Sequence, residues 1–184
     1  MLYHINLKPP VPFIPYQFGF EKNAARNRRQ FIMTYTNEMI NPEFRDWLYS
    51  RNMFVTEARF FGTNPNTSYS PHIDGPKGVG DLPKICITKN SFDAKMTWYR
   101  SRAEGSERIN QSGDCVTDYN NVEPVYTADV NDICLMNGGA IHNSSLGPNN
   151  DVQRFCYSMF LGDSKTKNTA TWQQAVEALS PWLV

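Results

Sequence analysis

The chain has no excess charge of either sign: Lys+Arg and Asp+Glu are both 18, so the formal net charge is zero. Proteins that grip a phosphate backbone show a basic excess or stripe, so a nucleic-acid partner is argued against. The one dense basic run, Arg26-Asn27-Arg28-Arg29, reads as the solvated face of a helix. The four cysteines, Cys86, Cys115, Cys134 and Cys156, form no CxxC pair, which excludes the usual zinc and dithiol redox motifs. Three of them lie in apolar strand-like runs, where a free thiol behaves as a small hydrophobe. That usage points to reduced thiols in a cytoplasmic protein. No run approaches the roughly 18 apolar residues of a membrane span, and the start of the chain lacks a basic segment followed by an apolar one, so no membrane association is expected. Neither an internal repeat nor a low-complexity segment interrupts the chain. There is no Ser/His/Asp or paired-carboxylate arrangement, and histidine is scarce, at His4, His72 and His142 only.

At 184 residues the chain suits one domain with a sizeable core. Residues 1–20 carry Pro9, Pro10, Pro12 and Pro15 among aromatics. Proline fixes φ and removes backbone donors, so this is an extended arm, packed over the domain surface by its aromatic residues. From Glu21 to Arg51 helical spacing takes over. Phe31, Ile32, Tyr35 and Met39 suggest one helix, and Phe44, Trp47, Leu48 and Arg51 a second. Asn41 is the expected cap of the second helix, with Pro42 at its first position.

After Asn52 the pattern becomes that of short strands bounded by Gly, Pro and Asn, which predicts a sandwich or barrel over residues 53–162. Expected strands are Met53 to Phe61, Lys84 to Thr88, Lys95 to Tyr99, Pro124 to Tyr126, Asp132 to Asn137 and Arg154 to Leu161. The polar stretch from Arg100 to Tyr119 reads as a long insertion, either a substrate lid or a disordered segment. A C-terminal tail over 163–184 ends in a short helix, Thr171 to Leu179, with Trp172, Ala175, Val176 and Leu179 on one face.

Chemistry concentrates in Ser70-Pro71-His72-Ile73-Asp74-Gly75. Two apart on extended backbone, His72 and Asp74 face the same way. His142 stands far downstream in Asn137-Gly138-Gly139-Ala140-Ile141-His142, and Arg154 follows it after a short interval. Two imidazoles and one carboxylate are the ligand set of a facial triad that holds non-haem Fe(II) with positions left open. Arg154 would supply a planar, permanently charged fork for a carboxylate. On its strand, Arg154, Cys156 and Ser158 share one face, suited to a small polar cavity. Phe155, Tyr157, Met159 and Leu161 share the other, suited to packing against helices. Gly138 and Gly139 would allow close backbone approach to the metal. Asn137, Asn143 and Ser144 are candidates to orient the His142 ring. Trp98 and Tyr99 read as core, while Arg59 and Tyr69 are candidates for the cavity mouth.

His-x-Asp, a distal His and a basic residue ten to fourteen positions later together resemble the Fe(II)/2-oxoglutarate-dependent dioxygenase superfamily, matched here at His72, Asp74, His142 and Arg154. Pro71-His72-Ile73-Asp74-Gly75 and Thr97-Trp98-Tyr99 are similar to short aspartyl/asparaginyl β-hydroxylase-like and bacteriophage-encoded members. The resemblance covers roughly residues 53–162 and implies a double-stranded β-helix, a jelly-roll or cupin-like barrel with the metal at its open end. It implies His72, Asp74 and His142 as ligands of Fe(II), and Arg154 as anchor of the 2-oxoglutarate cosubstrate. Its reaction consumes O2, yields succinate and CO2, and hydroxylates a small-molecule or peptide substrate. Departures bear on that substrate. Asp74 is present where vertebrate-type aspartyl β-hydroxylases lack a carboxylate, and no second arginine follows Arg154 as in nucleic-acid demethylases. Many members carry serine two after the arginine. Here Cys156 stands there and Ser158 follows on the same face, so both are expected beside the cosubstrate.

Two other classes use the same residues. A zinc hydrolase could employ the triad with metal-bound water as nucleophile, with no use for Arg154. A jelly-roll binding or structural module would need no intact ligands at all.

Overall fold

A computed structural model describes residues 3–14, 30–35 (backbone only), 40–64, 68–89, 94–110, 115–130, 132–146 and 154–184. Two six-stranded antiparallel sheets face one another. The first contains, in spatial order, β1 (His4–Asn6), β10 (Ile133–Asn137), β5 (Pro83–Lys89), β12 (Arg154–Asp163), β3 (Met53–Thr63) and β2 (Gln30–Tyr35). The second contains β7 (Ser106–Ile109), β8 (Cys115–Asp118), β4 (His72–Ile73), β11 (His142–Leu146), β6 (Ala94–Ser101) and β9 (Val122–Asp129). From β3 to β6 the chain crosses between sheets at every step, then from β9 to β12 it crosses back in the same manner. That interleaving is a double-stranded β-helix, the mainly-β jelly roll that the family resemblance implied and one form of the sandwich or barrel expected from the strand pattern.

Alternation decides which side chains face which layer. On β12, Tyr157, Met159 and Leu161 point outward with Ile85 and Ile87 of β5 and Val55, Ala58 and Phe60 of β3. They meet Phe44, Trp47 and Leu48 of α1 (Pro42–Ser50), together with Trp172, Ala175 and Leu179 of α2 (Trp172–Leu179). Burying each of these large side chains contributes on the order of 2 kcal/mol. A second apolar cluster is formed by Trp98, Met96, Met136, Leu146, Cys86 and Cys134, with Trp98 directly opposite His142. Trp98 is thus core, as its sequence setting suggested. All four cysteines are free thiols.

Several expectations need correction. Gln30–Tyr35 is a strand, not the helix that the spacing of Phe31, Ile32 and Tyr35 suggested; it pairs along β3 from Gln30↔Thr63 to Tyr35↔Ala58. A short run rich in aromatic and β-branched residues satisfies its backbone on an open sheet edge, which outweighs local periodicity. Met39, Pro15 and the run Arg26 to Arg29 lie outside the described residues. The insertion from Arg100 to Tyr119 is not structureless: β7 and β8 form a hairpin that extends the second sheet. Asn41 precedes α1 with Pro42 at the first position, but its side chain makes no cap. Instead it accepts from Ile14 N at 3.0 Å and donates to Pro12 O at 3.1 Å, tying the N-terminal arm to the helix. Phe13 of that arm packs against Phe44 and Tyr157, as expected of its aromatic residues. At α2 a complete capping box forms between Thr171 and Gln174. Among the described residues no helix is long and apolar enough to cross a membrane.

Candidate metal centre

β4 is only two residues long, yet it sits between β11 and β8, and its register places His72 directly opposite His142. The two rings lie 4.8 Å apart between centroids. Asp74 follows just past the strand end, where its N–H donates to Gly138 O at 2.9 Å. His72 Nε2 lies 3.5 Å from Asp74 Oδ1, and His142 Nε2 lies 3.6 Å from Asp74 Oδ2. One ligand atom from each residue falls within 4.8 Å of the others, a grouping able to hold a metal ion.

The imidazoles are oriented by backbone. His72 Nδ1 donates to Ser70 O and His142 Nδ1 to Ala140 O, each at 2.8 Å. A carbonyl only accepts, so Nδ1 carries a hydrogen in each ring, and Nε2 is the atom that faces Asp74. This corrects the expectation that Asn137, Asn143 or Ser144 would hold the His142 ring. Asn137 braces the loops, accepting from Leu82 N and Gly139 N and donating to Asp81. Asn143 donates to Tyr69 O, and Ser144 accepts from Arg154. Gly138 serves Asp74: a Cβ there would fall 2.5 Å from Asp74 Oδ2.

One functional residue was missed by sequence reading. Lys84 of β5 turns into the barrel, and its ammonium pairs with Asp74 Oδ2. Burial favours neutral lysine, yet attraction to the Asp74 carboxylate outweighs it and holds Lys84 above its ordinary range. Conversely, burial disfavours the Asp74 carboxylate, but Lys84 first, then His142 and His72, keep it well below the usual range. Burial pushes His142 down to about 4. At His72 burial is again opposed by Asp74, which leaves that imidazole above its ordinary value. The signal available in the sequence was the alternation Lys84, Cys86, Thr88 against Pro83, Ile85, Ile87, which puts the lysine on the inward face.

Behind the triad lies a chamber of about 110 Å³ that ends at Arg154. Arg154 is 6% exposed. Its Nη2 donates to Ser144 Oγ at 3.1 Å, while Nε and Nη1 have no hydrogen-bond partner among the described residues. Ser158 and Cys156 line the same chamber, as do Tyr69 and Thr63, whose hydroxyls are 2.9 Å apart. On the other side, His72 and Asp74 open onto a cavity of about 460 Å³. Arg59, which is paired with Glu57, and Arg108 of β7 help line it. His72, Asp74, His142, Arg154, Cys156 and Ser158 thus line the smaller space, Tyr69 lines both and Arg59 the larger one.

No protein-family model matches the chain, and no curated protein matches it. Solved structures similar to it include AviO1 from Streptomyces viridochromogenes, at 11% identity and TM-score 0.41, covering 78% of this chain and 77% of that one. E. coli ycfD is similar at 10% identity and TM-score 0.45, over 95% of this chain and 43% of its own. A cupin-like protein from Thermotoga maritima shows 10% identity and TM-score 0.31, over 81% and 84% of the two chains. At such scores the description of the fold rests on this chain's own strand order.

Proposed function

We propose that the chain is an Fe(II)- and 2-oxoglutarate-dependent dioxygenase that hydroxylates a small molecule or a peptide side chain. The observation that carries this reading is the pair of unpartnered donors on Arg154, inside a chamber whose far end is the His/Asp/His cluster. A guanidinium almost removed from water with Nε and Nη1 unpaired is costly, and a ligand carboxylate would relieve the cost. The chamber suits a short acid that reaches from the metal ligands to that fork. A zinc hydrolase would leave the same arginine without a task.

Within this reading His72, Asp74 and His142 hold the ion through Nε2, a carboxylate oxygen and Nε2. When bound, the iron supplies the redox chemistry by which O2 decarboxylates the oxo acid and oxidises an unactivated C–H bond. The protein's own work is positional. Arg154 would hold the distal carboxylate by charge-assisted hydrogen bonds from its unpartnered donors, while Ser144 holds the guanidinium through Nη2. The hydroxyls of Tyr69, Thr63 and Ser158 on the chamber wall are neutral groups suited to a second anchor. Cys156 narrows the wall beside them. The larger cavity, bordered by His72, Asp74 and Arg59, is the entry for the substrate to be oxidised.

The test is direct. Fe(II)-loaded protein is mixed anaerobically with 2-oxoglutarate, binding is followed by the visible charge-transfer band, and air is then admitted while succinate is measured. Binding and succinate formation that disappear in His72→Ala support the assignment. Absence of both in the parent protein rejects it.

A further inference from the structure

Lys84 has no task in the mechanism just given, although it touches the centre of it. Its ammonium lies on Asp74 Oδ2, the carboxylate oxygen that faces His142 Nε2 at 3.6 Å. Among the described residues its other close neighbours are the Phe160 ring, 5.5 Å from Nζ, and the free cysteines Cys86 and Cys156. Hydrogen bonds from Cys134 and Cys156, with Lys84 nearby, hold the Cys86 thiol below its ordinary range, but the group that the ammonium touches is the Asp74 carboxylate. The residue is 6% exposed, so the ammonium cannot retreat to water without a large rearrangement of β5. Asp74 is therefore its counter-ion, and in the metal-free protein the lysine occupies the electrostatic place that a metal cation would take. A divalent ion held by His72, Asp74 and His142 would meet a like charge at the same carboxylate oxygen. Buried cations this close repel strongly, and either the metal binds weakly or the ammonium finds another anion.

We propose that Lys84 is a displaceable internal counter-ion, which holds Asp74 until a divalent metal arrives and then holds a carboxylate anion bound at that metal. This rests on the reading of the centre given above, and the anion it implies is the oxo acid. Lys84 is a positioning residue in this account. With Arg154 at the other end of the same chamber, it makes the space selective for ligands that bring negative charge at both ends. A neutral or singly charged acid would leave one of the two buried cations unmatched.

The experiment uses Lys84→Met, which keeps an unbranched side chain and removes the charge, with Lys84→Gln as a second variant should the first fail to fold by circular dichroism. Mn²⁺ binding isotherms are measured for parent and variant, followed by binding of 2-oxoglutarate to each Mn²⁺-loaded protein. Expected is Mn²⁺ affinity at least tenfold higher in the variant and 2-oxoglutarate affinity at least tenfold lower. Loss of packing alone would weaken both, so the opposite signs are the signature. Unchanged or weaker Mn²⁺ binding overturns displacement and makes Lys84 a fixed support of Asp74. Unchanged 2-oxoglutarate binding overturns the anion-holding role. A parent protein that binds Mn²⁺ but not 2-oxoglutarate rejects the oxo-acid reading, while the Mn²⁺ isotherms still decide displacement. A parent that binds no Mn²⁺ overturns the centre and this proposal together.

Discussion

The two faces of β12 differ as sharply as any two regions of the molecule. Outward, Tyr157, Met159 and Leu161 are locked against α1, α2 and the neighbouring strands. Inward, the same strand presents Arg154 with two unpartnered donors, then Cys156 and Ser158 along the chamber wall. One face gains from every contact it makes. The other holds a desolvated charge with two donors unpaired among the described residues, an arrangement typical of a site that takes a ligand. Within the barrel the contrast repeats at closer range, since the fully buried Trp98 lies directly opposite His142 across β6 and β11.

Two large effects of similar size are expected from breaking this contrast, the first on the outer face. Leu161 is fully buried, and Leu161→Ala should lower unfolding free energy by about 2–5 kcal/mol in denaturant melts, with metal binding retained in the folded fraction. Next comes Asp74→Ala, which removes a metal ligand and also strands the Lys84 ammonium. It should abolish Mn²⁺ binding and cost roughly 3–5 kcal/mol of stability. His72→Ala should lose the metal too, yet melt within a few degrees of the parent. Equal melting of the two variants would mean that Lys84 finds another partner.

Smaller still is the effect of Arg154→Ala. It should spare Mn²⁺ affinity and leave stability unchanged or raised, because a buried group with unpaired donors is removed. Binding of 2-oxoglutarate to the Mn²⁺-loaded variant should weaken by about 2–3 kcal/mol, the size of a charge-assisted contact. Tight binding despite the change would exclude Arg154 as the anchor. Smallest is Thr171→Ala, which deletes one half of the capping box on the apolar side of the contrast; a loss of about 1 kcal/mol is expected, with no change at the centre.

Much of this was legible in the residues. The alternation of Arg154, Cys156 and Ser158 against Phe155, Tyr157 and Met159 separates chamber from core, and the run of short strands points to a sandwich or barrel. What misled was local spacing without knowledge of neighbours. Gln30–Tyr35 has apolar residues at intervals that fit a helix, but the free edge of β3 offers it a hydrogen-bonding ladder that no window of sequence reveals. The stretch from Arg100 to Tyr119 looks polar because its hairpin lies at the sheet margin, where β7 is exposed along its length. Asn137, Asn143 and Ser144 were plausible partners for His142, yet the task falls to Ala140 O, a group that every residue carries and no composition can single out.

From sequence alone came the candidate metal-binding groups, two imidazoles and a carboxylate, and the inward direction of the polar set on β12, since side-chain period on extended backbone is a local property. Tertiary structure alone decided that His72 lies opposite His142, that Lys84 reaches Asp74, and that Arg154 ends the chamber with two donors free. Register between strands distant in the chain is set by the packing of whole sheets, and the electrostatic partner of a buried charge is whichever group that register brings beside it.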